Sequence, residues 1–167
     1  MIVADYMFET LASRGVRDVF TVAGGGIMFL LDALGRNPDI TYWANGHEQA
    51  CAIAAESYAR VTGDLGVCLV TSGPGATNAL SAIPGAYVDS VPVLVISGQV
   101  RTGLIADYAK HRQIGPQEIN VIDMVAPVTK YAKTVMHAAD IPAELARAVR
   151  IATSGRPGPV WLQIPLD

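Results

Sequence analysis

Two short runs constrain this chain more than anything else in it. Gly66 to Thr71 (GVCLVT) and Val91 to Ser97 (VPVLVIS) are apolar at nearly every position. A strand that is apolar on both of its faces is covered on both faces, which is the mark of a parallel sheet between helical layers. Other segments carry helical spacing. Glu48 to Val61 is Ala-rich, lacks Gly and Pro, and predicts a helix ending at Gly63. Residues 2–14 carry Ile2, Tyr6 (or Val3, Met7) and Leu11 at helical spacing, with Gly15 as the stop. Ile141 to Thr153 sets Leu145, Val149 and Ala152 on one face.

The remaining elements complete the alternation. Val16–Val22, Ile40–Ala44, Val128–Val135 and Pro159–Ile164 read as strands, and Ile27–Leu34 as a helix. Ala76–Val88 reads as one helix despite Pro84. From Gly98 to about Gln117 no period survives, and a stretch that long without structure is often functional or interfacial. The expected fold is therefore a three-layer α/β/α sandwich with a mostly parallel sheet of about six strands, one domain over residues 1–167. Ligands in such folds sit beyond the C-terminal ends of the strands. That singles out Gly24–Gly26, Asn45–Glu48 and Ser72–Asn78.

Composition narrows the function. Charged residues make up 16% and hydrophobic ones 51% of the 167 residues, against roughly 25% charged in an average domain. Disorder is excluded, and part of the surface is expected to be covered by other domains or subunits. Net charge is −3 and no basic run occurs, which argues against nucleic acid or an anionic membrane. No apolar stretch approaches the ~18 residues that span a bilayer, and the acidic N-terminus is not a signal peptide. Cys51 and Cys68 lie in apolar runs and are expected to be buried free thiols, consistent with a cytoplasmic location.

Each loop has a plain reading beside a functional one. Gly24-x-Gly26-x-x-Phe29 lacks the third glycine of a dinucleotide fingerprint, and no acidic residue closes the next strand. Ser72-Gly73-Pro74-Gly75-Ala76-Thr77-Asn78 lacks the Lys-Ser/Thr of a phosphate-binding loop and the G-x-S-x-G of a hydrolase elbow. It is either a simple strand-to-helix turn or a place where a ligand ring approaches the backbone. His47-Glu48 opens the Ala-rich helix, where the helix N-terminus favours a carboxylate. Glu48 is then an ordinary first-turn residue or a working acid. No metal-ligand spacing appears among His47, Glu48 and His111. Asp89, Asp107 and Glu118 read as solvated or interface charges, and Lys110-His111-Arg112 as an exposed loop.

Taken in order, the segments spell a known pattern. Val19-Phe20-Thr21-Val22-Ala23-Gly24-Gly25, His47-Glu48-Gln49-Ala50, Ala54 through Arg60, Gly63, Thr71 through Asn78 and Ala86 through Pro92 are followed by Gly98-Gln99, Gln117-Glu118, Thr129-Lys130 and Gly155 through Val160. The ordered set closely resembles the N-terminal, pyrimidine-binding domain of thiamine-diphosphate enzymes of the acetolactate synthase/pyruvate oxidase group.

The resemblance implies a function. In the family the Glu of the His-Glu motif, here Glu48, bonds N1′ of the cofactor's aminopyrimidine. This favours the tautomer whose 4′-nitrogen removes the C2 proton, ahead of 2-keto acid decarboxylation and carboligation, with a substrate such as pyruvate. Sharing that proton requires a desolvated carboxyl. The helix N-terminus opposes this, so burial against a partner chain has to win. Pro74, Gly75 and Asn78 are placed near the pyrimidine, and Gly24, Gly25 and Gln117 over the reacting carbon. Ala23, Gly46 and Pro116 depart from the usual Pro, Arg and aromatic residues, which leaves the substrate pair open.

The Gly-Asp-Gly…Asn motif that holds the diphosphate through Mg2+ does not occur, nor does the middle domain that carries FAD in some relatives. The chain thus reads as about the first third of a longer enzyme. Its site is expected to form against the diphosphate-binding domain of a second subunit in a homo-oligomer, and the isolated domain is expected to be inactive. The alternatives are a non-catalytic assembly module of the same fold, a different 2-keto acid decarboxylase or oxidase, and a nucleotide-binding oxidoreductase.

Overall fold

The computed structural model describes residues 2–167. Six strands form one sheet: β1 (Asp18–Thr21), β2 (Thr41–Ala44), β3 (Gly66–Val70), β4 (Val93–Gln99), β5 (Tyr131–Thr134) and β6 (Val160–Pro165). Their order is β2-β1-β3-β4-β6-β5, and every pairing is parallel. Seven helices flank it: α1 (Val3–Ser13), α2 (Met28–Arg36), α3 (Glu48–Thr62), α4 (Pro74–Leu80), α5 (Ile83–Asp89), α6 (Val121–Val125) and α7 (Ile141–Thr153). The three-layer sandwich read from the sequence is the fold.

The apolar runs explain the layers. Successive side chains of a strand point to opposite faces. Val67 and Leu69 of β3, Leu94 and Ile96 of β4, and Leu162 of β6 join Met7, Phe8 and Leu11 of α1, Leu30 and Leu34 of α2, and Leu145 of α7. Cys68, Val70, Val93, Val95 and Trp161 face the other way, onto Cys51, Ala52 and Ala55 of α3 and onto α4, α5 and α6. Each large side chain fully withdrawn from water contributes about 1.5–3 kcal/mol. The alanines of α3 allow close approach: a Cβ on Gly66 would lie 2.0 Å from the Ala55 carbonyl oxygen. Both cysteines are buried and unlinked, as the sequence implies.

One expectation needs correction. Residues 76–88 form two helices, α4 and α5, broken around Ser81–Ala82. Pro84 has no N–H to offer the carbonyl four residues back, so α4 cannot continue through it. The segment after Gln117 also holds α6, a single turn capped by the Asn120 side chain, which accepts from Asp123 N; five residues are too few to show a helical period. The ends of α1 and α7 fall within a residue of the expected ones, and Gly15 is left-handed (φ +94°) at the stop.

No helix of the described residues is long and apolar enough to cross a membrane. Met28, Phe29, Tyr42, Trp43, Ile53, Val61 and Val88 are all exposed.

Candidate functional site

All strands are parallel, so their C-terminal ends open on one edge of the sheet. The three loops singled out in the sequence leave β1, β2 and β3 there. Thr71, just past β3, is where two of them meet. Its hydroxyl accepts from Gly26 N at 3.1 Å. A Cβ on Gly24 would lie 2.4 Å from the Thr71 Cβ, and one on Gly75 2.7 Å from its Cγ2. Neither position has room for a side chain. A Cβ on Gly25 would meet nothing within 4 Å, so that residue faces open space.

The His47 side chain caps α3, its Nδ1 accepting from Gln49 N at 3.1 Å. This places Glu48 in the first turn of a 15-residue helix, where the helix dipole stabilises a carboxylate by roughly 0.3–1 kcal/mol. Glu48 is half-buried. Its Oε2 accepts from Asn78 Nδ2 on α4 at 3.0 Å. Its Oε1 faces Gly75, where a Cβ would stand 3.3 Å away, and no protein donor among the described residues reaches it. One carboxylate oxygen is thus oriented by an amide while the other is left free beside bare backbone.

Gln117 reaches this cluster through its main chain. Gly73 has φ +58° and ψ −118°, and a Cβ there would lie 2.0 Å from the Gln117 carbonyl oxygen. Gln117 itself is left-handed (φ +58°), and its side chain is exposed. The structure therefore gathers Glu48, Gly75 and Asn78 into direct contact. Gly24 joins through Thr71, and Gln117 through Gly73. Pro74, the first residue of α4, is exposed beside them, as Gly25 is beside Gly24.

Glu118 departs from its expected place. It is 5% exposed, not a solvated charge. Oε1 accepts from Ala106 N, and Oε2 from Ile114 N (2.7 Å) and Gly115 N (3.0 Å). Burial pushes its pKa up, but these three amides and the Tyr108 hydroxyl outweigh burial and hold the carboxyl below its usual range. The sequence carried no signal for this. A carboxylate in a stretch without periodicity reads as solvated, and its donors are main-chain amides that every residue has. Thr71 was likewise missed as a hub. Asp89 pairs with Arg60 (2.6 Å) and Asp107 with Lys110 (2.8 Å), both exposed as expected, and His111 and Arg112 are exposed too.

Comparison with known proteins points the same way. The family model described as "Thiamine pyrophosphate enzyme, N-terminal TPP binding domain" matches residues 1–124. Over 164 residues the chain is 44% identical to acetolactate synthase 1, chloroplastic, of Oryza sativa subsp. japonica, covering 98% of this chain and 24% of that protein. It is 43% identical to the acetolactate synthase isozyme 3 large subunit of Escherichia coli (98% and 28%). It is 40% identical to a probable acetolactate synthase large subunit of Methanocaldococcus jannaschii (98% and 27%). The chain spans about a quarter of the length of these relatives.

Proposed function

Because this chain belongs to the thiamine pyrophosphate enzymes, as their N-terminal TPP binding domain, we propose that it is the aminopyrimidine-activating part of an acetolactate synthase-like enzyme. Its substrates would be 2-keto acids such as pyruvate. The observation that carries the proposal is the Glu48 carboxylate, with Oε2 held by Asn78 and Oε1 free beside Gly75.

The residues fit the cofactor's ring. Gly24 and Gly75 lack side chains where any Cβ would strike Thr71, which lets the loops after β1 and β3 close on each other and brings the Gly75 backbone beside Glu48 Oε1. When bound, thiamine diphosphate supplies the electron sink for decarboxylating the keto acid and passing its remaining carbons to a second carbonyl. Glu48 holds the proton at N1′ of the pyrimidine through Oε1. Asn78 fixes the rotation of that carboxylate and keeps Oε2 from competing for the proton. Pro74 and Gly75 present backbone to the ring. Gly24, Gly25 and Gln117 face the reacting carbon, and Gln117 is the side chain placed to meet the substrate.

The diphosphate and its Mg2+ are assigned to a diphosphate-binding domain of a second subunit, and FAD, where present, to a middle domain. The exposed apolar side chains on α2, β2, α3 and α5 support such an assembly.

The test is Glu48→Gln in the full-length protein. Exchange of the cofactor's C2 proton, followed by NMR after acid quench, is expected to fall by roughly 10²–10⁴-fold, the range of a lost acid–base group. Exchange at the wild-type rate would remove Glu48 from the assigned role.

A further inference from the structure

We infer that Glu118 is a positioning residue, a buried carboxylate that holds residues 100–117 as one rigid strap and sets Gln117 over the site. The inference rests on the proposed reaction for its consequences, but its geometry stands on its own contacts.

The strap leaves β4 at Gln99, a residue 1% exposed, and returns at Gln117. Between them lies one turn of 3-10 helix, Thr102–Leu104. A stretch of this length would ordinarily be mobile. Here Glu118 collects main-chain donors from two separate points of it, Ala106 on the outgoing limb and Ile114 and Gly115 on the returning one. Gly115 N also donates to Leu104 O at 3.1 Å, which ties the limbs together. The Tyr108 hydroxyl, within the same strap, accepts from Gln99 Nε2 at 3.4 Å. The knot is thereby fastened to β4, in the centre of the sheet.

Gln117 is the residue just before the knot. Its left-handed backbone is costly for a side chain that is neither Gly nor Asn. It is fixed from two sides, by Gly73 packed on its carbonyl and by Glu118 anchored immediately after it. No other side chain of the described residues bonds three strap amides. A carboxylate suits the task because it accepts several N–H bonds at once and offers no donor to clash with them.

Glu118→Gln tests this in the full-length protein loaded with thiamine diphosphate and Mg2+. The amide keeps the shape but turns an NH2 group toward main-chain donors. Exchange of the cofactor C2 proton without substrate reports on Glu48 and is expected to stay within about twofold of wild type. kcat/KM for pyruvate is expected to fall roughly 10–100-fold, the scale for a misplaced reacting group. Adding Glu118→Gln to Gln117→Ala is expected to cost nothing beyond Gln117→Ala alone.

Multiplying effects in the double variant, an unchanged kcat/KM, or exchange that falls in step with kcat/KM would each overturn the inference. Should Glu118→Gln not fold, Tyr108→Phe decides, because it removes the hydroxyl that ties the strap to Gln99 and leaves the three amides on Glu118. It is expected to lower kcat/KM about threefold with exchange unchanged, and an unaltered kcat/KM overturns the inference. A wild-type protein without C2 exchange would overturn the cofactor reading and this one with it. Wild-type exchange beside an indifferent Glu118→Gln overturns this one alone.

Discussion

Replacing Gly73 by Ala separates two penalties that a glycine can hide. Gly63 and Gly73 both have positive φ. Gly63 closes α3 at φ +78°, ψ 0°, and a Cβ there would meet nothing within 4 Å. Gly63→Ala therefore carries only the left-handed backbone cost, roughly 1–2 kcal/mol. Gly73 sits at φ +58°, ψ −118°, the first central position of a type II′ turn, which is dominated by glycine. Backbone strain there is about 1–3 kcal/mol. Its Cβ would also stand 2.0 Å from the Gln117 carbonyl oxygen, and forced overpacking adds about 1–3 kcal/mol.

The sum for Gly73→Ala is roughly 2–6 kcal/mol, against a typical domain stability of about 5–15. With a urea m-value near 2 kcal/mol/M, the midpoint should drop by roughly 1–3 M, and for Gly63→Ala by less than about 1 M. Urea titration of both variants followed by tryptophan emission measures this directly. Equal midpoint shifts for the two variants would refute the argument, because the turn and the Gln117 contact would then carry no cost of their own.

Other outcomes follow from single contacts. Lys133 bonds Glu144 at 2.5 Å, and this ammonium, with the Tyr131 hydroxyl, holds the Glu144 carboxyl below its ordinary value of 4.5. A depressed acid stabilises the fold above its unfolded pKa and loses that contribution as pH falls through its folded one. Lys133→Met should therefore cost roughly 1–2 kcal/mol at pH 7, discounted for the exposed lysine, and nearly nothing at pH 2–3; equal urea shifts at both pH values would contradict it. Trp161 is fully buried and donates to Ser97 Oγ at 2.8 Å, while Trp43 is 52% exposed. Trp161→Phe should cost about 2–4 kcal/mol and leave a red-shifted emission from Trp43, and an unshifted spectrum would count against this burial. Asn78→Ala in the full-length protein should lower C2-proton exchange roughly tenfold while Glu48 is intact; unchanged exchange would mean that Glu48 needs no orienting amide.

How much of this was legible depends on range. The buried centre of the sheet was readable because β3 and β4 are hydrophobic on both faces, a pattern contained in six or seven consecutive residues. The helix ends at Gly15 and Gly63 were readable for the same local reason. Glu48 was placed correctly at a strand-to-helix junction by local pattern, and the role proposed for it came from the resemblance. What escaped was non-local. The break before Pro84 depends on a carbonyl four residues back competing with packing. The burial of Glu118 depends on amides up to twelve residues away. Thr71 owes its role to glycines of two loops that only the folded chain brings to it.

Strand β2 lies at the rim of the sheet with all four residues exposed, Tyr42 and Trp43 among them. Its outer row of main-chain hydrogen-bonding groups has no neighbour, which is a hazard when left bare. That rim ends four residues before Glu48. A neighbour laid along this rim would pair the bare main-chain groups and cover Tyr42 and Trp43 in one contact.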